Sequence, residues 1–470
     1  MEIIHVAAEC YPMAKVGGLA DVVGALPKYQ NQLGHIAKVV LPMYKTKFLY
    51  NNVFNTVHKG SIHVGEYYFN YTVIKERDNK LGFDLYLIDI NGLLDRENVY
   101  GYNDDYLRFL AFQIATLNWL CAWQHKPDVL HCHDYHAGLI PFMAKHCTYY
   151  NQLQNIKTIL TIHNGQYQGW MQLSMANLLP QFDPYKTGLL AWNGMLNPLA
   201  AAVKCADRVN AVSPGYMQEL SYDANGLEML FEYEKGKCIG IINGIDNEIW
   251  NPETDSYLRE KFSVKNATKG KEKNKNLICE MFNLPKNKPL ISFIGRLVGE
   301  KAADILPQAI ATILTNNKGN VNIVVLGSGD KKVEKELNDL KYIFGENYDC
   351  FIGYSEALSH ELYAASDFLL MPSRVEPCGL NQLYALRYGT LPIVRNTGGL
   401  KDTVIDISQK NGYGIKHDQA TVVDINFAVM RALNFYYEEA EKFTFLQKEV
   451  MKIDFSWTNS AKSYLEMYKN

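Results

Sequence analysis

Short apolar or β-branched runs recur along the chain, each followed by a longer stretch with helical spacing, and they fall into two series. The first comprises Ile3–Ala8, Ala37–Leu41, Leu85–Ile88, Val129–His131, Thr158–Ile162 and Arg208–Val212. The second comprises Leu290–Ile294, Val321–Leu326, Phe368–Met371 and Leu391–Val394. Strands punctuated by helices make βαβ units with parallel sheet. The predicted class is therefore α/β, with two doubly wound sheets in succession. A polar, lysine-rich region, Lys261–Lys288, separates the series, and Asn274–Phe282 within it has helical character. The 470 residues suffice for two to four domains of about 100–200 residues each. Doubly wound sheets bind ligands at the carboxyl ends of their strands, and a site lined from both lobes is expected.

Composition narrows the function classes. Hydrophobic residues make up 47% of the chain and the net charge is −3, which excludes a disordered chain. No uninterrupted apolar stretch reaches the about 18 residues of a membrane span. The balance of 47 basic against 50 acidic residues argues against general nucleic-acid affinity. The N-terminal residues carry Glu2 and no basic n-region, so no secretory signal is expected. Nine cysteines, scattered from Cys10 to Cys378 with no C-x-x-C pair, read as reduced thiols of a cytoplasmic protein.

Several loops after predicted strands carry chemistry. The first strand leads into Lys15, Gly17 and Gly18 before a helical pattern from Leu19 to Leu33. Paired glycines let a ligand approach the backbone, and a helix N-terminus presents free N–H groups to an anion; a tight turn with a surface lysine is the other reading. Asp21 reads either as an acceptor for sugar hydroxyls or as a partner for Lys15. In VLHCHDYHAG, alternation puts His131 and His133 on one strand face, with Asp134 and His136 at the carboxyl end. Metal ligation, helix capping and hydroxyl-rich substrate contacts all suit these residue types. His163, in TIHNGQYQG, reads equally as a core histidine and as a catalytic one.

In the second series, Arg296 and Lys301 follow the strand Leu290–Ile294, where either a phosphate-binding pair or a plain surface pair would sit. VVLGSGDKK imitates part of a dinucleotide fingerprint but lacks its third glycine. Glu376 sits in a proline- and glycine-bounded turn before a helix from Asn381, so it suits either a helix cap or hydroxyl binding. Thr397-Gly398-Gly399 makes a further backbone-rich turn suited to a phosphate or carboxylate.

Together, KVGGLADVVGALPK, HDYHAGL, TIHNGQYQG, NGID, GRLVGEK, PSRVEPCGLNQLYALRYGT and TGGLKDTV resemble, in order, the bacterial glycogen synthase and plant starch synthase family. The resemblance spans nearly the whole chain. It implies two Rossmann-like domains facing a deep interdomain cleft (the GT-B type), over 1–245 and 246–455, with a C-terminal helix over 456–470 returning to the first. It also implies transfer of glucose from a nucleoside-diphosphate glucose to the non-reducing 4-OH of an α-1,4-glucan, with retention at the anomeric carbon. ADP-glucose is the expected donor and UDP-glucose the alternative; glycogen or a malto-oligosaccharide is the acceptor.

Carried over by resemblance, Lys15 and Gly18 face the donor with Asp21 close by. Asp134 and His136 match the pocket motif, and His163 lies beside the transferred glucose. Arg296 and Lys301 match the diphosphate-binding pair, while Glu376, Cys378, Gly379 and Leu380 match the glucose-binding segment. Thr397 and Gly398 match the distal phosphate loop, Tyr354 the base-stacking position, and Asn243 and Tyr100 further pocket members. The sequence departs from the family pattern at Glu300, for glutamine, at Ala302, for glycine, and at Tyr135, where tryptophan is commoner.

Arg296 and Lys301 would stabilise charge on the leaving diphosphate, so neither metal nor cofactor is expected, in agreement with the missing Asp-x-Asp motif. Glu376 would orient sugar hydroxyls or stabilise a cationic ring. A non-catalytic glucan-binding scaffold and a transferase making a small glycoside are the rival readings.

Overall fold

The apolar runs form parallel strands in a computed structural model that describes residues 1–469. The chain divides into two units, one of Met1–Gly244 with the C-terminal segment from Trp457, the other of Ile245–Ser456.

The first unit is built on a nine-stranded sheet. In spatial order its strands are Cys238–Gly240, Arg208–Ala211, Lys157–Ile162, Val129–His133, Glu2–Val6, Ile36–Pro42, Asp84–Asp89, Tyr67–Glu76 and Phe54–Val64. The chain begins at the centre, with Glu2–Val6 parallel to Ile36–Pro42 on one side and to Val129–His133 on the other. The strand order therefore reverses between Glu2–Val6 and Val129–His133. Such a reversal is where doubly wound sheets bind ligands, and the loops around Lys15 and Asp134 follow these two strands at their carboxyl ends.

Two features depart from the predicted parallel sheet. Phe54–Val64 and Tyr67–Glu76 form an antiparallel hairpin, and the latter pairs antiparallel with Asp84–Asp89. A short three-stranded sheet of Met171–Gln172, Ala191–Trp192 and Met195–Leu196 stands apart from the main one. The C-terminal helix Trp457–Lys469 packs Trp457, Ala461, Tyr464 and Leu465 against Ile3, Val22, Leu26 and Val129. Burying several such side chains contributes roughly 1.5–3 kcal/mol each, which attaches this distant segment to the unit.

The second unit orders its six strands Tyr348–Ile352, Asn322–Gly327, Leu290–Ile294, Phe368–Met371, Leu391–Arg395 and Ile415–His417, all parallel. Here the order reverses between Leu290–Ile294 and Phe368–Met371. The loops that follow those two strands hold Arg296, Lys301 and Glu376. The lysine-rich region contains the helix Ala267–Met281, longer than its sequence pattern suggested and with Lys271 and Lys275 turned inward. Among the described residues, no helix is long and apolar enough to cross a membrane.

Candidate active site

In the first unit a buried carboxylate organises the glycine loop. Glu9 lies just past the first strand, and its Oε2 accepts from the amides of Val16 and Gly17 at 2.5 and 2.9 Å. Its Oε1 accepts from Tyr100 Oη at 2.7 Å. Three donors on one carboxylate fix the loop's path and leave Lys15 at its tip, where Lys15 Nζ lies 2.7 Å from Asp21 Oδ1. Of the two readings of Asp21, the structure shows the lysine partner. Gly17 is in extended backbone and Gly18 opens the helix Gly18–Gln32. A Cβ at either glycine would meet nothing within 4 Å. Neither position needs glycine for its own folding, and the open space beside both leaves the loop backbone accessible.

Asp134 follows the strand Val129–His133 with φ 55° and ψ −172°, a sparsely populated backbone that costs a non-glycine residue on the order of 1–3 kcal/mol. The turn aims its carboxylate at the next loop, where Oδ1 accepts from His163 N at 2.7 Å. Burial raises the Asp134 carboxyl to about 7, although bonds from the His163 and Asn164 amides favour its charged form. His136 lies tilted against Tyr135, with ring centroids 3.7 Å apart, and is stacked on Tyr100 at 4.8 Å, and burial lowers its pKa to about 3. Among the described residues, the His136 Nδ1 and Asn243 Oδ1 atoms are buried without a hydrogen-bond partner. Such atoms carry a desolvation cost that a ligand's polar group relieves.

His163 Nε2 lies 2.9 Å from His133 Nδ1, and burial pushes its pKa down to about 3, so the ring is neutral. Behind it sits a buried trio, His5, His131 and His133, whose candidate ligand atoms lie within 4.8 Å of one another. Every ring nitrogen of the trio has a hydrogen-bond partner in the structure.

In the second unit Lys301 Nζ sits 2.6 Å from Glu376 Oε2, and Ser373 Oγ donates to the same oxygen at 2.8 Å. The Glu376 side chain is 8% exposed and that of Lys301 22%. Arg296 extends outward, with Nη2 3.6 Å from Glu300 Oε2. Two braces hold these loops together. The Glu300 carbonyl accepts from the amides of Arg374 and Val375. The Arg374 guanidinium grips both Asp304 oxygens, at 2.5 and 2.9 Å, and holds that carboxyl below its usual range. Ala302 has φ 55° and ψ 31° and is fully buried, so alanine stands at a backbone position that favours glycine.

The turn at Thr397-Gly398-Gly399 packs directly on the Glu376 segment. A Cβ on Gly398 would lie 2.1 Å from the Glu376 carbonyl, and one on Gly399 2.2 Å from that of Cys378. Gly398 also has φ 44°, so both space and backbone demand glycine there. The Gly399 amide donates to Glu376 O at 3.1 Å. Thr397 and Cys378 are buried, Gly379 has φ 74°, and Leu380 caps the helix Asn381–Arg387. Tyr354, 77% exposed, follows the strand Tyr348–Ile352 on the same carboxyl side of the sheet.

Each unit thus brings its own predicted residues together: Lys15 with Asp21, Asp134 with His163, and Lys301 with Glu376. Sequence reading missed Glu9, Ser373 and the Arg374–Asp304 brace. Glu9 had a signal, a carboxylate immediately after the first strand; the others depend on contacts between loops.

A first unit with glycine-loop and histidine groups, and a second with a cation–carboxylate pair at its reversal point, both doubly wound, define a two-unit glycosyltransferase of the GT-B class. Residues 2–233 match the starch synthase catalytic domain family and residues 274–442 the group 1 glycosyl transferases. The chain is 52% identical over 468 residues to a glycogen synthase of Flavobacterium johnsoniae, covering 100% of this chain and 98% of that one. A glycogen synthase of Streptococcus pneumoniae is 38% identical over 478 residues, covering 100% and 99%. The catalytic domain of starch synthase IV from Arabidopsis thaliana, solved bound to ADP and acarbose, superposes with a TM-score of 0.89 at 32% identity, covering 100% and 98%. Sucrose-phosphate synthase from Thermosynechococcus elongatus shares the fold, with a TM-score of 0.63 at 16% identity over 100% and 98%. The chain belongs to the glycogen synthase and starch synthase family.

Proposed function

We propose that this protein elongates an α-1,4-glucan, moving glucose from ADP-glucose to the non-reducing 4-OH of glycogen or a malto-oligosaccharide with retention at the anomeric carbon. The observation that carries the reading is the 2.6 Å Lys301–Glu376 pair at the carboxyl ends of the central strands of the second unit, in a chain of this family. Cleaving the glucose–phosphate bond puts negative charge on the leaving diphosphate and positive charge on the sugar ring. Lys301 and Arg296 meet the first, aided by N–H groups of the Gly398 turn. The Glu376 carboxylate, held by Ser373, lies within reach of the second. These cations supply the charge that a metal would otherwise supply, so the proposed reaction runs without one.

Tyr354 offers a ring to the donor base, and the starch synthase relative bound to ADP supports an adenine nucleotide. The first unit supplies Lys15, Asp134, His136, His163, Asn243 and Tyr100 to the sugars. The same-face substitution route is favoured, with Glu376 stabilising charge. A cytoplasmic location accords with the reduced cysteines. The test is a comparison of kcat/KM for ADP-glucose and UDP-glucose on a glycogen primer. At least tenfold preference for ADP-glucose supports the reading; preference for UDP-glucose overturns its nucleotide half, and no transfer from either overturns it whole.

A further inference from the structure

A line of buried hydrogen bonds leads from His163 through the sheet to the C-terminal helix. Its ring nitrogen Nε2 lies 2.9 Å from His133 Nδ1, His133 Nε2 lies 3.0 Å from His5 Nδ1, and His5 Nε2 lies 2.8 Å from Gln30 Oε1. Gln30 Nε2 donates to Tyr468 Oη at 3.0 Å, and that oxygen lies 2.7 Å from His131 Nδ1. His5, Gln30, His131 and His133 have no solvent exposure. Sheet register assembles the line, because His5 is paired with His131 across adjacent parallel strands and His133 with Thr161. No motif in the sequence joins these positions.

A neutral imidazole carries one N–H and one lone pair, so in a line of such rings each proton dictates the next. Burial keeps the rings neutral, holding His5 down to about 4 and His133 and His131 well below the usual range. The Gln30 amide oxygen only accepts, which places the His5 proton on Nε2 and leaves Nδ1 a lone pair. His133 must then donate from Nε2 and accept at Nδ1, and His163 must donate from Nε2. His163 Nδ1, which has no hydrogen-bond partner among the described residues, is left as a lone pair.

We infer that Gln30, His5 and His133 are positioning residues that hold His163 as its Nε2–H tautomer, so that Nδ1 serves as a hydrogen-bond acceptor for a hydroxyl group of the transferred sugar. The sugar's place rests on the function proposed above; the tautomer does not. A protein hydroxyl or amide donor at this position would be satisfied by a fluorine or a carbonyl, whereas a lone pair selects a ligand group that donates. The Gln30–Tyr468 bond links the same line to the C-terminal helix.

The test is a two-bond proton–nitrogen correlation spectrum of the full chain labelled with 15N-histidine, with signals assigned by single His→Gln variants. His5, His133 and His163 should all be neutral Nε2–H tautomers at pH 7. His163 as the Nδ1–H tautomer or as imidazolium overturns the inference, as does a chelator-sensitive joint shift of His5, His131 and His133, which would put a metal where protons are placed here. In His5→Phe, which keeps a ring but cuts the line, His163 should become a tautomer mixture and kcat should fall about tenfold with little change in donor KM. An unchanged His163 tautomer in that variant overturns the relay, and the wild-type spectrum decides the matter if the variant does not fold. Among singly deoxygenated and fluorinated donors, one position should lose rate equally with hydrogen or fluorine in place of the hydroxyl. The expected tautomer with no such position would refute the placement of His163 at the sugar rather than the relay.

Discussion

Glu376→Gln tests the charge logic of the second unit because it preserves shape and removes one charge. The Glu376 carboxylate holds Lys301 Nζ at 2.6 Å in a mostly buried setting. A charge-assisted bond of this kind contributes roughly 1.5–3 kcal/mol. That contribution opposes donor binding, because Lys301 must share itself between the carboxylate and the incoming diphosphate, and the carboxylate also repels that anion. Removing the charge should leave nucleoside-diphosphate affinity unchanged or raise it by as much as about tenfold, since about 1.4 kcal/mol is one decade. On the proposed mechanism turnover should move the other way, because the carboxylate would stabilise a cationic ring only as the bond breaks; kcat should fall by roughly a hundredfold or more. Calorimetric titration with ADP and steady-state kinetics on a glycogen primer read the two effects separately. Lys301→Ala should weaken ADP binding, and the double variant should show strong non-additivity, as expected of groups in contact. Wild-type kcat in folded Glu376→Gln, or ADP binding weakened as in Lys301→Ala, would refute this reasoning.

Tyr354→Ala should raise donor KM far more than it lowers kcat, given the about 1–3 kcal/mol that a base gains from aromatic stacking, while Tyr354→Phe should be mild; kinetics with varied ADP-glucose will tell. Ala302→Gly should leave stability within about 1 kcal/mol of wild type, because relief of the left-handed backbone offsets the added unfolded-state entropy. Chemical denaturation checks that, and a loss above this would contradict the backbone argument. Asp134→Asn concerns a carboxyl raised to about 7 by burial. The folded state therefore prefers the protonated form, and the penalty grows as pH rises from about 4, the unfolded value, through 7. The variant should gain stability relative to wild type at pH 8 by a few kcal/mol, at about 1.4 kcal/mol per pK unit, with little difference at pH 4. Urea unfolding at both pH values gives the comparison, and an equal effect at both would refute the burial argument.

The sequence displayed the central strands because they are apolar throughout, as strands covered on both faces must be. It hid the hairpin of Phe54–Val64 and Tyr67–Glu76, where a register shift between Thr56 and His58 breaks the alternation of the exposed residues Thr56, Lys59 and Ser61. The edge strands Cys238–Gly240 and Ile415–His417 have three residues each, too few for any period to register. The helix Ala267–Met281 disguised itself by burying lysines. Lys271 donates to the carbonyls of Ala364 and Tyr388 and to Thr390 Oγ1, and burial lowers its pKa to about 7. Lys275 meets Asp367 at 2.7 Å. Polar interior anchors thus read as part of the lysine-rich stretch between the two series, and only Asn274–Phe282 showed helical character.

In the candidate site, loops that carry their own motif were legible: Lys15 to Gly18, Asp134 to His136, Arg296 to Lys301. What holds those loops was not. Glu9 works through backbone amides seven and eight residues away, and Arg374 through Asp304 on another loop. The line behind His163 joins residues as far apart as Gln30 and Tyr468, and only the sheet register and the docked C-terminal helix make them neighbours.

The central claim is transfer of glucose to a glucan end with retention, and proton NMR of a running reaction tests it most directly. With ADP-glucose and a malto-oligosaccharide primer, the first new anomeric signal should belong to an α-1,4-linked glucose, growing as the donor's anomeric signal declines. Free glucose as the first product, a β-linked product, or donor consumption only in the presence of a small non-glucan acceptor would contradict the account.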